Sequence, residues 1–202
     1  PSCMLHPNIM DAYETKKNIT LNQDGIATIG AYENETKKNY GRQLIATVEG
    51  EVFLSNATLH QEVFGPYSLV VQCKNINELE EIITKLEGQL TGTIISENNE
   101  IEKYGNIISA LQNRVGRLIF NGVPIGVEVC NSMVHGGPYP ASTDSRFTAV
   151  GVNSIKRWVR PVSFQNWPNH LLPDSLKNEN PLGISRLING KQTRSKIENY
   201  KI

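Results

Sequence analysis

The chain has 202 residues, enough to bury one sizeable core. Its 20 basic and 20 acidic residues cancel to a formal net charge of zero, which leaves no general field to attract nucleic acid or an anionic membrane. The apolar runs at 68–71 and 93–95 are far too short to span a bilayer. Asp11, Glu14, Lys16 and Lys17 interrupt any secretory signal. Three widely spaced cysteines make no disulfide framework and point to a reducing, cytoplasmic setting. The chain opens on Pro1 rather than Met, as a piece of a longer protein or a processed product would.

In chain order, Pro7 stands at a first helical position and opens an amphipathic helix over 8–17, with Ile9, Ala12 and Tyr13 on one side. Segments 26–31 and 43–48 read as strands, and 57–62 as a helical turn. Tyr67 to Cys73 is dense in Val and Leu without alternation, which predicts a strand covered on both faces. Asn75 or Asn77 caps a helix whose Leu79, Ile82, Ile83 and Leu86 follow the i, i+3, i+4, i+7 spacing, with Gly88 as its stop. Residues 90–96 form the next strand. Asn98 or Asn99 then caps a helix carrying Ile101, Tyr104, Ile108, Leu111 and Val115 on its inner stripe and ending at Gly116. Residues 117–120 form a third strand. This rhythm implies right-handed βαβ crossovers and an α/β fold, a parallel sheet with flanking helices. A short helix is expected over 149–157. Beyond it lies an extended tail with Pro161, Pro168, Pro173, Pro181, Trp158 and Trp167, of the kind that leans on another surface. The division expected is therefore 1–157 and 158–202.

The stretch from Asn121 to Pro140 is a long loop rich in Gly and Pro that leaves the carboxyl end of a strand, where ligands gather in parallel sheets. It carries Asn121, Glu128, Cys130 and His135, and Gly136-Gly137 removes side chains where something can approach the backbone. Cys130 and His135 are five residues apart, a spacing open to a thiolate–imidazole pair and equally to a buried structural cysteine. Cys3, His6, Cys73, Cys130 and His135 show no zinc-ligand spacing, so no metal site is expected. In Glu62-Val63-Phe64-Gly65-Pro66 a carboxylate and an aromatic ring two residues apart can hold a ribose hydroxyl and pack on a flat ring. They serve equally as a solvated acid and a core phenylalanine. There is no Gly-x-Gly-x-x-Gly run and no Gly-x-Ser-x-Gly elbow.

Taken together, several of these runs resemble the C-terminal part of an aldehyde dehydrogenase. The branch most similar is that of the 2-oxoglutarate semialdehyde and NADP-dependent fatty aldehyde dehydrogenases. The resemblance rests on Glu62-Val63-Phe64-Gly65-Pro66, on Glu87-Gly88-Gln89-Leu90-Thr91, and on Asn121-Gly122 with Gly126-Val127-Glu128-Val129-Cys130. It extends through Met133-Val134-His135-Gly136-Gly137-Pro138-Tyr139-Pro140-Ala141, Asp144-Ser145-Arg146 and Asn180-Pro181-Leu182-Gly183.

The resemblance implies an incomplete catalytic domain followed by an extended oligomerisation arm. It implies NADP or NAD as cofactor, with Glu62 on the nicotinamide ribose hydroxyls and Phe64 near the nicotinamide. Asn121, Val129, Cys130, Gly136 and Gly137 would line the entrance for a small aldehyde substrate. His135 would sit close to the catalytic thiol and tune its ionisation. The segment 158–166 would join a second copy's sheet in a homodimer. Arg146 would meet a carboxylate substrate or anchor the end of the loop to an acid. The chain departs from the family in lacking its Gly-Gln-x-Cys nucleophile motif, its general-base glutamate and its dinucleotide-binding domain. The expectation is a segment inactive by itself. The rival expectations are a non-catalytic assembly module and a self-sufficient thiol site at Cys130 and His135.

Overall fold

The computed structural model describes residues 1–198 and divides into two units, Pro1–Trp158 and Val159–Ile202. In the first unit, strand β1 (Ser2–Cys3) leads into helix α1 (Pro7–Leu21). Pro7 supplies the first helical φ and lacks the N–H that would be orphaned there, while His6 Nδ1 accepts from the Asn8 amide at 3.1 Å. The helix runs a turn past the expected end. Its buried side is Tyr13, Lys17 and Thr20, and Ala12 faces outward. Lys17 is buried because its ammonium meets Glu14 at 2.6 Å and lies 4.9 Å from the centre of the Tyr13 ring.

Strands β2 (Ala27–Ala31), β4 (Leu44–Glu49) and β5 (Tyr67–Gln72) form one sheet. In it β2 is antiparallel to β4, and β4 is parallel to β5 in the register Leu44↔Tyr67 to Glu49↔Gln72. The short β3 (Tyr40–Gly41) pairs with β1. Beyond β4, helix α2 (Gly50–Ser55) and a 3₁₀ turn (Ala57–His60) fold back over the sheet. Helix α3 (Ile76–Lys85) follows β5, its end capped by Asn75, which accepts from the amides of Asn77 and Glu78. Val48, Phe53, Leu59 and Ile82 make the core of this unit, with Leu69, Val71 and Leu86 packed against it. Removing such side chains from water contributes about 1.5–3 kcal/mol each. His60 stacks on Phe53 with centroids 4.4 Å apart, and its Nε2 lies 2.7 Å from the Phe53 carbonyl.

Strands β6 (Gln89–Ile94) and β7 (Val115–Phe120) form a separate parallel pair, Gln89↔Val115 to Ile94↔Phe120. The expected single ladder through all three strands is thus two ladders, and β5 and β6 share no pairing among the described residues. The expectation that 67–73 is covered on both faces is also corrected. Alternate residues are exposed, Val70 at 43%, because helices pack on one face of β5 only. Between β6 and β7 the expected long helix is a 3₁₀ turn (Ile101–Tyr104) and helix α4 (Gly105–Gln112). Val115 and Gly116, read as its end, open β7 instead. A short 3₁₀ helix (Val152–Arg157) replaces the helix expected over 149–157.

In the second unit the backbone bends at Gln165 and Asn166, where Asn166 takes a φ of 54°, so the arm expected to be extended is broken there, and Phe164 stands edge-on to Trp167 at 5.9 Å. Strands β8 (Arg186–Ile188) and β9 (Lys191–Thr193) make a hairpin within the tail expected to be extended and without periodicity. Asn189 and Gly190 both take positive φ at its turn, the geometry that matches strand twist in two-residue hairpins. Arg186 ties this unit together by donating to the carbonyls of Lys177, Asn178 and Ser195.

Candidate functional site

The segment from Gln61 to Tyr67 carries the two side chains singled out for cofactor binding. Gly65 lies against the ring of Tyr13 so closely that a Cβ would occupy the ring's place, and its φ of 156° also favours glycine. Tyr13 anchors that contact by donating from its hydroxyl to the Arg42 carbonyl at 2.6 Å, with the Pro66 carbonyl at 3.4 Å. Burial, reinforced by Glu14 and Tyr67, pushes the Tyr13 hydroxyl up to about 12. Lys16 donates to the Glu62 carbonyl at 3.3 Å. With the main chain fixed on both sides, the Glu62 carboxylate and the Phe64 ring are left facing outward, Phe64 62% exposed.

Glu62, Phe64 and Tyr67 line one cleft of ≈ 650 Å³, and Phe64 also walls a smaller one of ≈ 190 Å³ against Ile9, Tyr13 and Lys16 on α1. The larger volume lies in the usual range for small-molecule sites. Tyr67, read from sequence only as the start of a strand, is among the residues that line the larger cleft. Its hydroxyl oxygen is closed off from solvent and has no hydrogen-bond partner among the described residues. Burial pushes this phenol up as well. An outward carboxylate and an outward ring thus border one cleft.

The loop after β7 behaves differently along its length. Asn121 takes a φ of 48° and clips the ends of β6 and β7 together. Its amide N–H donates to Ile94 O, its side chain donates to Ser96 O, and it accepts from Ser96 N, all at 2.9 Å. Both polar ends of its side chain are therefore engaged with the strand end. Val129 is 91% exposed, and Cys130 is exposed with Sγ 3.3 Å from Ser132 Oγ. Cys130 lines a cleft of ≈ 480 Å³ along β7 with Arg117, Glu128, Ser132 and Met133. The Arg117 guanidinium donates to the Gly126 carbonyl and so fastens the loop to the strand.

His135 is exposed, and among the described residues no hydrogen bond joins it to Cys130. It lies outside the lining of the Cys130 cleft. Its main chain is held by Thr148, whose buried hydroxyl accepts from the His135 amide at 2.9 Å and donates to Val150 O at 2.9 Å. Gly136 and Gly137 are buried. The Gly136 carbonyl occupies the place of a Cβ on Gly116, and the Pro138 carbonyl does the same at Gly88. The absent side chains let the loop's main chain lie on the starts of β6 and β7. Arg146 takes the second of its two expected roles, making three bonds to Asp144 at 2.7–3.0 Å that hold this carboxyl down at about 2. Thr148 and Tyr67 were missed because a hydroxyl's role depends on what the fold brings to it. Among the described residues, no three His, Cys, Asp or Glu side chains gather as metal ligands.

No family model matches the chain. It is 39% identical over 188 residues to alpha-ketoglutaric semialdehyde dehydrogenase 2 of Azospirillum brasilense, across 93% of this chain and 36% of that protein. It is 39% identical over 196 residues to the alpha-ketoglutaric semialdehyde dehydrogenase of Acinetobacter baylyi, across 96% of this chain and 37% of that one. The chain thus spans little more than a third of the length of these relatives. Among solved structures, a double mutant of betaine aldehyde dehydrogenase from Staphylococcus aureus, bound to NAD+, superposes with a TM-score of 0.58 at 15% identity. That match covers 77% of this chain and 30% of that one. The fold is therefore that of an aldehyde dehydrogenase. Over the span that they share, the chain is similar in sequence to these alpha-ketoglutaric semialdehyde dehydrogenases.

Proposed function

We propose that this chain supplies one wall of the active site of an NAD(P)-dependent aldehyde dehydrogenase. The enzyme would oxidise a 2-oxo-acid semialdehyde or an aliphatic aldehyde to the carboxylate. The observation that carries the reading is the Glu62–Phe64 turn, whose main chain is locked by Tyr13 and Lys16 while its carboxylate and ring open onto the ≈ 650 Å³ cleft. When bound, the cofactor supplies the hydride acceptor. The Glu62 carboxylate accepts from the ribose hydroxyls, Phe64 covers the nicotinamide face, and their fixed backbone orients both without reorganisation at the moment of reaction.

In this reading Val129 and Cys130 face the substrate entrance, and His135 stands where it can tune a thiol. Asn121, Gly136 and Gly137 hold the shape of that entrance through the backbone. The nucleophile is none of Cys3, Cys73 or Cys130, since none follows Gly-Gln at the family's spacing. The 158–166 segment, carrying exposed Trp158, Val159 and Val162, adds to the sheet of a second copy. The test is reduction of NAD+ or NADP+ by the gene product at its native length, offered 2-oxoglutarate semialdehyde and a series of aliphatic aldehydes. Aldehyde-dependent reduction that drops at least tenfold in Glu62→Gln supports the reading. No reduction with any pairing sinks it.

A further inference from the structure

A further cleft of ≈ 290 Å³ shares Ser132, Met133 and Val134 with the Cys130 cleft, and its lining holds two cations, Arg146 and Lys156, and no acid. The Cys130 cleft balances Arg117 with Glu128, the ≈ 650 Å³ cleft has Glu62 as its charged group, and the whole chain sums to zero. Pairing within the fold does not cancel the excess. Asp144 takes Nε and Nη2 of Arg146, which leaves Nη1 without a partner among the described residues. Arg157, the next cation along, donates to the uncharged Thr143 hydroxyl at 3.2 Å. Lys156 has neither ion pair nor hydrogen bond among the described residues, and the Ser145 hydroxyl at the same cleft has no hydrogen-bond partner among them. A solvated ammonium needs no partner to be stable. The signal is the gathering of cations without an acid around one concavity, where low-dielectric walls focus the field.

We propose that this cleft is a carboxylate subsite for the substrate, an inference that rests on the dehydrogenase reading and chooses between its two substrate classes. A 2-oxo-acid semialdehyde carries an anionic oxo-acid end and a neutral aldehyde end, joined by a short methylene chain. Lys156 supplies a full charge and ammonium donors for the carboxylate, and the Ser145 hydroxyl adds a donor. Phe147, Met133 and Val134 give the methylene chain an apolar bed. The shared wall sets this cleft beside that of Cys130, on the side read above as the substrate entrance. Its volume is at the small end for a ligand site, which suits a short oxo acid better than a long alkyl chain. An aliphatic aldehyde has nothing to offer the unpaired ammonium.

The experiment is steady-state kinetics of the gene product at its native length, as wild type, Lys156→Met, Lys156→Arg and Lys103→Met. The last removes a cation from the 3₁₀ turn before α4, outside the cleft. The substrates are 2-oxoglutarate semialdehyde and pentanal, an uncharged aldehyde of the same chain length. Lys156→Met is expected to raise KM for the semialdehyde about tenfold, with kcat, the pentanal constants and the thermal midpoint unchanged. Lys156→Arg should keep most of the affinity, and Lys103→Met should change neither KM. An unchanged semialdehyde KM in Lys156→Met overturns the inference, and so do equal losses on both aldehydes, which assign the lysine to the fold. A semialdehyde KM that rises as much in Lys103→Met reports overall charge and overturns it too. Wild-type activity on pentanal alone removes the subsite and leaves the dehydrogenase reading standing. No reduction with any aldehyde removes that reading and the inference with it.

Discussion

Two glycine- and proline-bearing segments of this chain solve opposite problems. Around Gly65 the backbone is pinned against Tyr13 and Lys16, and the side chains of Glu62 and Phe64 are released outward. Around Gly136 the arrangement is reversed. The glycines are covered, the Gly136 and Pro138 carbonyls lie on Gly116 and Gly88, and the exposed apolar side chains belong to the preceding stretch, Val123, Ile125 and Val129. The first segment presents outward side chains on a packed backbone, and the second is a packed stem that carries an exposed tip. Glycine serves close packing in both, so a glycine-rich motif by itself does not tell a ligand cradle from a backbone joint.

The most disruptive way to test this contrast is to place a methyl group at each joint. Gly65→Ala must displace the Tyr13 ring, and Gly116→Ala must displace the Gly136 carbonyl. Each is expected to lose about 2–4 kcal/mol in denaturant unfolding. Gly126→Ala, with open space around its Cβ, should stay within about 0.5 kcal/mol. Equal effects at all three positions would erase the distinction between stem and tip. Thr148→Val comes next. It strands the His135 amide and should cost about 2 kcal/mol, with faster amide hydrogen exchange at 134–137 and unchanged exchange in α3.

Tyr13→Phe removes the bond to the Arg42 carbonyl and should cost about 1 kcal/mol. Its pH dependence has a definite sign. The folded value is raised from 10.0 to about 12, so the phenol's contribution is complete below about pH 10 and declines as the pH rises toward 12. Tyr13→Phe should flatten part of the wild-type fall in that interval, and a curve parallel to wild type would refute it. Asp144→Asn is the mildest change, because the pair with Arg146 is exposed to solvent. With the Asp144 carboxyl lowered from 3.8 to about 2, its contribution is present above about pH 4 and fades as the pH falls toward 2. Thermal scans at pH 6 and pH 2 should therefore differ less for Asp144→Asn than for wild type.

Local signals in the sequence were legible where one residue type has one use. Asn75 caps α3, Ile82 and Ile83 mark its inner face, and Pro7 opens α1. The signals failed where two patterns coincide. Val115 falls four residues after Leu111, so it continues a helical stripe on paper while opening β7 in space. Helix α2 has only six residues and begins at Gly50, too short for periodicity to register. The Val- and Leu-rich run of β5 indicates a buried strand but carries no information on how many faces are covered. At the site, the exposure of Glu62 and Phe64 at one cleft follows from the short Gly-Pro turn that carries them, a feature visible in the sequence. Asn121, Gly136 and Thr148 meet partners 13 to 25 residues away, a relation that no short window of sequence contains.

The main-chain seam where Gly136 and Pro138 lie on Gly116 and Gly88 has a consequence for anyone who wishes to redesign the loop after β7. A seam without side chains offers nothing to vary: any larger residue at those positions forces the two strands of backbone apart. Val123, Ile125 and Val129, by contrast, project from a loop whose attachments lie elsewhere, at Asn121, Arg117 and Thr148. Randomising those three positions, and leaving the seam untouched, is the library most able to vary the exposed face of this loop without costing the chain its fold.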